Sequence, residues 1–147
     1  MKNGITIRPA RNHDGRRIFN FLCELEDRLL DQQEFEINYR VCLSDNNNIY
    51  LVAADANNDA IGYISCHGQI LLHHGGMVFE IEELFVMEPY RKKGVGKLLL
   101  KGLDEYLAKR DYVMLEVTTN KQRTETIAFY AACGFEETHV KFTRVPK

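Results

Sequence analysis

Residues 80–102 place a row of carboxylates beside a basic turn and two glycines, a combination that could bind and orient an anion. Residues 80–87 mix β-branched, aromatic and acidic side chains and stop before Pro89, which predicts a strand. From Gly94 onwards leucine and valine recur at helical spacing, which predicts a helix. The amides that open this helix have no partner within it, and the helix dipole and the basic side chains add positive charge there. The turn therefore predicts a binding site for a phosphate or pyrophosphate group.

Two common phosphate-binding motifs do not fit this turn. A P-loop requires four residues between its glycines and a serine or threonine after its lysine. Here a single residue separates Gly94 from Gly96, and a leucine follows Lys97. A dinucleotide-binding turn requires a third glycine, at the position that Leu99 occupies. What remains is the pattern Arg-x-x-Gly-x-Gly after a strand.

Length and composition predict one folded domain over residues 1–147. A chain of this size buries roughly two-thirds of its unfolded surface, and 45% hydrophobic with 27% charged residues is ordinary for a soluble domain. The net charge of −2 and the short basic cluster argue against nucleic acid as a partner. We expect no membrane span and no signal peptide, and therefore a cytoplasmic location. The four cysteines lack metal or disulfide spacing, so reduced thiols are expected.

Periodicity and turn residues predict the element order β-α-α-β-β-β-α-β-α-β. The carboxylate of Asp14 can cap the first helix, and Gly134 should close the last one. Because a helix separates the strands at 80–87 and 113–117, these two strands should run parallel. The other predicted strands are 5–8, 49–54, 60–69 and one or two within 135–145, and the predicted helices follow Asp14 and cover 33–43, 94–110 and 124–133.

Two separate motifs resemble those of the GNAT superfamily of N-acetyltransferases. The first is ELFVMEPYRKKGVG at residues 83–96, and the second is AFYAACGF at residues 128–135, preceded by Asn120. The resemblance covers nearly the whole chain and agrees with the predicted element order. It implies a GNAT fold of the α/β (α+β) class, with a mixed, mostly antiparallel, twisted sheet of six or seven strands and about four helices.

A narrower set of residues is similar to bacterial aminoalkylphosphonate N-acetyltransferases. This likeness implies a small primary amine as the acceptor, with an aminoalkylphosphonate as one candidate. The residues are Cys23-Glu24-Leu25, Asp31, Phe35, Leu43, Tyr50, His73-His74, the EIEEL run from Glu80 and the ending His139-x-Lys141-Phe142-Thr143.

The resemblance also implies acetyl-CoA as the co-substrate and assigns residues to it. The main chain of Leu84, Phe85 and Val86 would pair with the pantetheine arm and supply a backbone N–H to the oxyanion. Asn120 would hydrogen-bond the pantetheine, although a turn or capping role is the alternative for this residue. The pyrophosphate would be bound by Arg91, Lys92, Lys93, Gly94, Val95, Gly96 and Lys97.

Acetyl transfer to an amine requires a group that accepts the proton of the ammonium ion. Strand alternation puts Glu80 and Glu82 on one face and Glu83 on the other, unless a bulge interrupts the strand. The resemblance places the base at Glu80, with Glu82 as the reserve, and the acid that protonates the leaving thiolate at Tyr130. Solvated edge carboxylates and a core tyrosine are the alternatives.

A metal site is not predicted. His67, His73 and His74 near Glu80 match no structural zinc spacing, so we expect them to line or flank a substrate pocket. A divalent ion bridging substrate oxygens is the alternative. A phosphonate group on the acceptor could meet one of the basic residues Arg123, Lys141 and Arg144.

The sequence therefore predicts an acetyl-CoA-dependent N-acetyltransferase that acts on a small primary amine by direct attack in a ternary complex. One alternative is a peptide or protein N-acetyltransferase. A second is a non-catalytic acyl-CoA-binding regulatory protein. The family resemblance is compatible with a homodimer, and nothing in the sequence excludes one.

Overall fold

The computed structural model describes residues 4–146, and these form five strands and four α-helices. The strands are β1 Thr6–Pro9, β2 Asn48–Ala54, β3 Ala60–Leu71, β4 Gly76–Val86 and β5 Met114–Val117. The helices are α1 Gly15–Glu26, α2 Gln32–Leu43, α3 Val95–Leu107 and α4 Thr124–Ala132. The chain divides into two compact units, Met1–Glu116 and Val117–Lys147, which we describe separately.

The strands form one sheet in the order β1-β2-β3-β4-β5. The first three neighbouring pairs are antiparallel, and the sheet is mixed, which leaves β4 and β5 as the predicted parallel pair. The predicted fold class is therefore confirmed, with five strands in place of six or seven. β3 and β4 are the longest strands and pair over ten positions, so they form the centre of the sheet.

Helices cover both faces of the sheet in the first unit. On one face Phe21 of α1 stacks on Phe85 of β4, with ring centroids 4.9 Å apart. On the other face Leu99 of α3 lies against Gly62 of β3. Side chains alternate along a strand, so Tyr63, next to Gly62, points to the α1 side, where it belongs to the aromatic core. The sheet therefore separates an aromatic layer from an aliphatic one.

Gly102 allows α3 to approach the sheet closely. A Cβ atom at this position would lie 2.7 Å from the Cγ2 atom of Ile7 in β1, too close for any side chain. Leu103 and Leu107, on the same side of the helix, are fully buried. None of the helices in residues 4–146 has the length and apolar character needed to cross a lipid bilayer.

An ion pair between Arg8 and Asp14 holds the start of α1 to β1. Both side chains are buried, and two guanidinium nitrogens donate to the two carboxylate oxygens at 2.8 and 2.9 Å. The Arg11 amide donates to the same carboxylate at 2.8 Å. Asp14 occupies the N-cap position of α1 as expected, but its side chain makes no capping bond, because Arg8 and Arg11 already use both oxygens.

The second unit contains α4 and an irregular C-terminal segment. Gly134 follows the helix with φ at +95°, and the Phe135 amide bonds back to the Tyr130 carbonyl, so the predicted C-terminal glycine is confirmed. The strands predicted within residues 135–145 are absent, and that prediction was wrong. Val140 and Phe142 are exposed by 81% and 90%, so these apolar side chains are not part of a core.

The central strand begins earlier than predicted. β4 starts at Gly76 and not at Glu80, because residues 76–79 continue the ladder with β3 directly after a tight turn. Gly75 makes that turn possible with φ at +72°. Val78 and Phe79 are buried, so this added part of the strand belongs to the core.

Replacing Asp14 with asparagine should lower the free energy of unfolding by about 3–5 kcal/mol, because it leaves the buried Arg8 guanidinium without a counter-charge. Chemical denaturation of wild type and variant measures this difference. Glu24→Gln is the matched control, since Glu24 forms an exposed ion pair with Arg91 and should contribute less than about 1 kcal/mol. Equal losses in the two variants would contradict the structural role of Asp14.

The pH dependence of the free energy of unfolding provides a second test of the ion pair between Arg8 and Asp14. Burial alone would raise the pKa of the Asp14 carboxyl, but the hydrogen bonds from Arg8 and Arg11 outweigh it, and the pKa lies below the ordinary 3.8. A carboxyl with a lowered pKa in the folded state contributes stability above its unfolded pKa and loses it as the pH falls further. Between about pH 5 and pH 2, wild type should therefore lose more stability than Asp14→Asn.

Candidate active site

An extra residue in β4 changes which of its side chains share a face of the sheet. Ser65 of β3 pairs with Glu83. The next residue, Cys66, pairs with Ile81, so the register passes over Glu82. This is a β-bulge, in which two residues of one strand lie opposite one residue of its neighbour. Beyond the bulge, the alternation of β4 is shifted by one position.

The bulge brings Glu80 and Glu83 onto the same face. Glu80 lies opposite His67, and Glu83 lies opposite Ser65. Ser65 and His67 are two residues apart in a regular strand and point to one side, the side covered by α1 and α2. Without a bulge, Glu83 would point to the other face, and the sequence alone left this question open. The structure answers it, because it contains the bulge.

Hydroxyl groups on this face hydrogen-bond Glu83 and His67. Ser65 Oγ donates to Glu83 Oε1 and also accepts from the Glu83 amide at 3.0 Å. Tyr63 Oη donates to the same Oε1 at a longer 3.4 Å. Tyr50 Oη is hydrogen-bonded to His67 Nε2. Burial raises the pKa of Tyr50 and of Tyr63 well above the ordinary value of a tyrosine, so both phenols stay protonated.

A cavity of about 360 Å³ opens on the same face, beside Glu80. Its acidic residues come from β4, from β5 and from the loop after α2. No lysine or arginine of residues 4–146 lines it, so its charge favours a cationic ligand. The lining residues are Val41, Cys42, Asp45, Asn48, His67, Gly68, Gln69, Val78, Glu80, Glu82 and Glu116.

The turn after β4 presents the N-terminus of α3. Gly94 is the N-cap residue with φ at +84°, in the left-handed region that glycine adopts most easily. Within residues 4–146 no group accepts a hydrogen bond from the amides of Val95, Gly96 and Lys97, the first turn of the helix. Lys92, Lys93 and Lys97 are exposed. The features that predicted an anion site from the sequence therefore lie together in the structure.

Arg91, at the start of this turn, contacts three other groups. Its Nε donates to the Val86 carbonyl at 2.7 Å, and its Nη2 donates to Glu24 of α1 at 2.8 Å. Its guanidinium carbon lies 5.2 Å from the centre of the Phe85 ring, a cation–π distance. These contacts link the turn to α1 and to the end of β4.

The second half of β4 has an edge that β5 does not cover. β4 has eleven residues and β5 has four. The Val113 amide, just before β5, bonds to the Met77 carbonyl near the start of β4, so β5 lies beside the first half. Leu84, Phe85 and Val86 pair with β3, and no second strand of residues 4–146 continues alongside them, where the Val86 carbonyl accepts from Arg91 Nε. Their other edge can pair with an extended ligand.

Tyr130 and Asn120 lie in the second unit. The Tyr130 ring is 5% exposed and lies edge-on to Phe129 and Phe135. Its hydroxyl takes part in no hydrogen bond within residues 4–146, and no buried polar side-chain atom there lacks a partner, so the hydroxyl reaches solvent. Burial raises the pKa of this phenol. Asn120 Oδ1 accepts from the Gln122 amide at 2.9 Å, which is a turn contact.

The histidines form no metal site with other residues of the described part of the chain. No group of three or more histidine, cysteine, aspartate or glutamate side chains in residues 4–146 could bind a metal ion. His67 lines the cavity as expected. His73 and His74 lie in the turn before β4, where the rings are 4.4 Å apart and His74 Nε2 is 3.8 Å from Glu116.

Sequence reasoning missed the hydroxyl groups of Tyr63 and Ser65. Both residues are buried, with exposures of 3% and 0%. A signal was present, because Ser65 stands in the run AIGYISC of otherwise apolar residues, and a buried hydroxyl needs a hydrogen-bond partner. Its partner, Glu83, could not be identified without the register of the two strands.

Comparison with known proteins gives the family. The model of the acetyltransferase (GNAT) family matches residues 15–135. The chain is 33% identical over 138 residues to an aminoalkylphosphonate N-acetyltransferase of Salmonella typhimurium, and the match covers 94% of this chain and 89% of that protein.

Solved structures agree with this fold. A transcriptional regulator from Bacillus halodurans is similar with a TM-score of 0.87 at 21% identity, over 96% of this chain and 99% of that one. Glucosamine-6-phosphate N-acetyltransferase from Arabidopsis thaliana is similar with a TM-score of 0.80 at 18% identity, over 96% and 97% of the two chains. The family match and the curated relative, together with the fold, show that this chain is an acyltransferase and belongs to the GNAT acetyltransferase family.

Proposed function

We propose that this enzyme transfers the acetyl group of acetyl-CoA to the primary amine of a small molecule by direct attack in a ternary complex. The observation on which the proposal depends is the acidic cavity beside Glu80, on the face of β4 that α1 and α2 cover. An amine arrives as an ammonium ion, and carboxylates attract that ion and can take its proton. The acetyltransferase family supplies the reaction type.

The cavity size and its borders favour a small acceptor. Val41 and Cys42 at the end of α2, with Asp45 in the loop that follows, form one wall. A peptide acceptor needs an open groove, whereas a cavity of about 360 Å³ with such a wall suits a small molecule. The sequence alternative of a peptide or protein acetyltransferase is therefore less well supported than a small-molecule enzyme.

Acetyl-CoA would bind along the free edge of β4 and at the start of α3. The pantetheine arm would pair with the main chain of Leu84, Phe85 and Val86, where β5 offers no partner. The pyrophosphate would accept hydrogen bonds from the first amides of α3 and would lie near the exposed basic residues of the turn. The proposed pyrophosphate-binding residues are Arg91, Lys92, Lys93, Gly94, Val95, Gly96 and Lys97, and Asn120 is proposed for the pantetheine.

Glu80 is the proposed proton acceptor. Freeing the lone pair of an amine of pKa about 10 at pH 7 costs about 4–5 kcal/mol, which a nearby carboxylate can offset. Glu80 is half-buried, lines the cavity and lies opposite His67. Glu82 also lines the cavity, but it is the exposed bulge residue, so we propose it as the reserve.

Tyr130 is the proposed acid. A thiolate leaving group, whose conjugate acid has a pKa of about 8.5 judging from cysteine, needs a proton or a hydrogen bond as it departs. Burial raises the pKa of the Tyr130 phenol, which keeps the group protonated and able to donate. The solvent contact of its hydroxyl supports this role over that of a purely packing side chain.

An aminoalkylphosphonate is the finer proposal for the acceptor, and it is supported by the 33% identity to the Salmonella enzyme of that name. The acidic cavity would receive the amino end. The phosphonate would have to point away from the carboxylates, because like charges repel. The candidates for binding the phosphonate group are still the basic residues Arg123, Lys141 and Arg144.

Purified enzyme with acetyl-CoA should release free thiol when a suitable amine is added. The panel should pair each aminoalkylphosphonate with an alkylamine of equal length, with and without divalent ions, and should include a diamine, an aminosugar and a peptide. Faster release with the phosphonates supports the finer proposal. Release with alkylamines that lack a phosphonate, or with diamines alone, keeps only the small-amine function, and release with the peptide alone contradicts both.

Reversing the charge of Lys93 should weaken acetyl-CoA binding by about 10-fold at low salt, because the side chain lies beside the proposed pyrophosphate site. Calorimetric titration of Lys93→Glu at two ionic strengths measures this. Lys101→Glu is the matched control, since Lys101 is an exposed lysine of α3 about two turns beyond Lys93, which lies in the turn before the helix. Equal affinities for the two variants would contradict the assigned turn.

Replacing Glu80 with glutamine should lower kcat/KM for the amine by about two to four orders of magnitude, because the carboxylate that takes the proton is lost. The affinity for acetyl-CoA should not change. Glu105→Gln, at an exposed carboxylate of α3, should behave like wild type. A fully active Glu80→Gln enzyme would rule out Glu80 as the proton acceptor and would leave Glu82 as the candidate for that role.

A further inference from the structure

Glu83 is a half-buried carboxylate that the proposed chemistry does not yet use. The bulge at Glu82 turns it to the same face as Glu80. Its Oε1 accepts hydrogen bonds from Ser65 Oγ and Tyr63 Oη, whereas its Oε2 accepts none within residues 4–146. Two donors on a single oxygen fix the direction of the whole carboxylate and leave its second oxygen available to a ligand.

Ser65 links this carboxylate to the bulge itself. A bulge interrupts the ladder of strand hydrogen bonds and leaves main-chain groups to be satisfied in another way. The Glu83 amide donates to Ser65 Oγ at 3.0 Å, and the same hydroxyl donates to the Glu83 side chain. Ser65 is fully buried, so this hydroxyl cannot turn to bulk water. One serine therefore holds both the backbone and the side chain of Glu83.

Tyr63 adds a donor that keeps its proton. Its ring lies in the aromatic core at 3% exposure. Burial first, and the negative charge of Glu83 second, raise the pKa of the phenol, so the hydroxyl remains a donor to the carboxylate at any working pH.

The charge of Glu83 has no counter-charge in the described part of the chain. Arg8 pairs with Asp14 and Arg91 pairs with Glu24, but no lysine, arginine or histidine of residues 4–146 forms an ion pair with Glu83. Holding a carboxylate out of water is costly unless it is hydrogen-bonded and paired. Hydroxyl donors are in place, and the missing component is a cation.

We propose that Glu83 receives the ammonium group of the acceptor and that Ser65 and Tyr63 are positioning residues that orient Glu83 for this contact. The inference rests on the proposed function, since it needs an amine acceptor. Glu83 and Glu80 lie opposite Ser65 and His67, positions that are about 7 Å apart along a strand. In the proposed arrangement the ammonium group lies between the two carboxylates. Glu83 then attracts and orients the amine, and Glu80 takes its proton.

The test separates amine binding from the chemical step. In Glu83→Gln, KM for the amine should rise about 10- to 100-fold because an electrostatic partner of the ammonium ion is lost. KM for acetyl-CoA should not change, and kcat should fall much less than in Glu80→Gln. Glu105→Gln is again the control. An unchanged KM for the amine in an active Glu83→Gln enzyme would overturn the inference.

The positioning role predicts a coupled effect. Ser65→Ala and Tyr63→Phe should each raise KM for the amine by about 3- to 10-fold, because Glu83 loses one of its donors. In the Glu83→Gln background the same changes should have little further effect on this KM, since there is no carboxylate left to orient. Additive effects in both backgrounds would mean that these residues influence amine binding independently of Glu83, which would contradict the positioning role.

Two controls keep the outcomes distinct. Ser65→Ala alters a fully buried position, so its melting temperature and acetyl-CoA affinity are measured first; if it does not fold, Tyr63→Phe, which removes only a hydroxyl, carries the test. A wild-type enzyme that acetylates no amine contradicts the proposed function. A wild-type enzyme that does so, with Glu83→Gln equal to it in KM for the amine, contradicts only the role of Glu83.

Discussion

The bulge at Glu82 is the constraint on which the rest of this site depends. Phe79, Ile81, Glu83 and Phe85 are spaced two residues apart, so in a regular strand they would all point to the face that α3 covers. That arrangement would bury Glu83 in an aliphatic layer and would remove Phe85 from the aromatic core, where it stacks on Phe21. One extra residue resolves both conflicts at once.

The cost of the bulge is offset by contacts on both of its sides. Phe79 and Ile81 stay fully buried before it, and Phe85 is buried after it, on the opposite face. Burial of each such side chain stabilises the fold by about 1.5–3 kcal/mol, more than a disturbed ladder bond is worth. Ser65 then satisfies the amide that the bulge displaces. The bulge and the hydrogen bond from the Glu83 amide to Ser65 therefore stabilise this part of the sheet together.

Much of the fold follows from local signals in the sequence. The glycine that begins α3 and the glycine that ends α4 lie where the sequence predicted them, because such positions need a backbone that few residues adopt. The C-terminal strands were wrong for the opposite reason. The segment 135–145 offered only its own residues as a signal, whereas a strand also needs a neighbour that takes its hydrogen bonds.

The site could be predicted in outline but not in detail. The acidic strand and the basic turn are each visible in the sequence, and both lie in the first unit as elements joined by one short turn. The partners of Glu83 could not be predicted, because Ser65 is eighteen residues away and only the register of β3 against β4 brings the two together.

The contacts of Arg91 are compatible with its proposed role at the pyrophosphate. Its ion pair with Glu24 is largely open to solvent, with the two side chains exposed by 45% and 61%. Such a pair contributes less than about 1 kcal/mol. A pyrophosphate at the same turn would have two negative charges, free helix amides and the positive end of the dipole as further attractions. The guanidinium can therefore exchange Glu24 for the ligand, while its bond to the Val86 carbonyl keeps it at the end of β4.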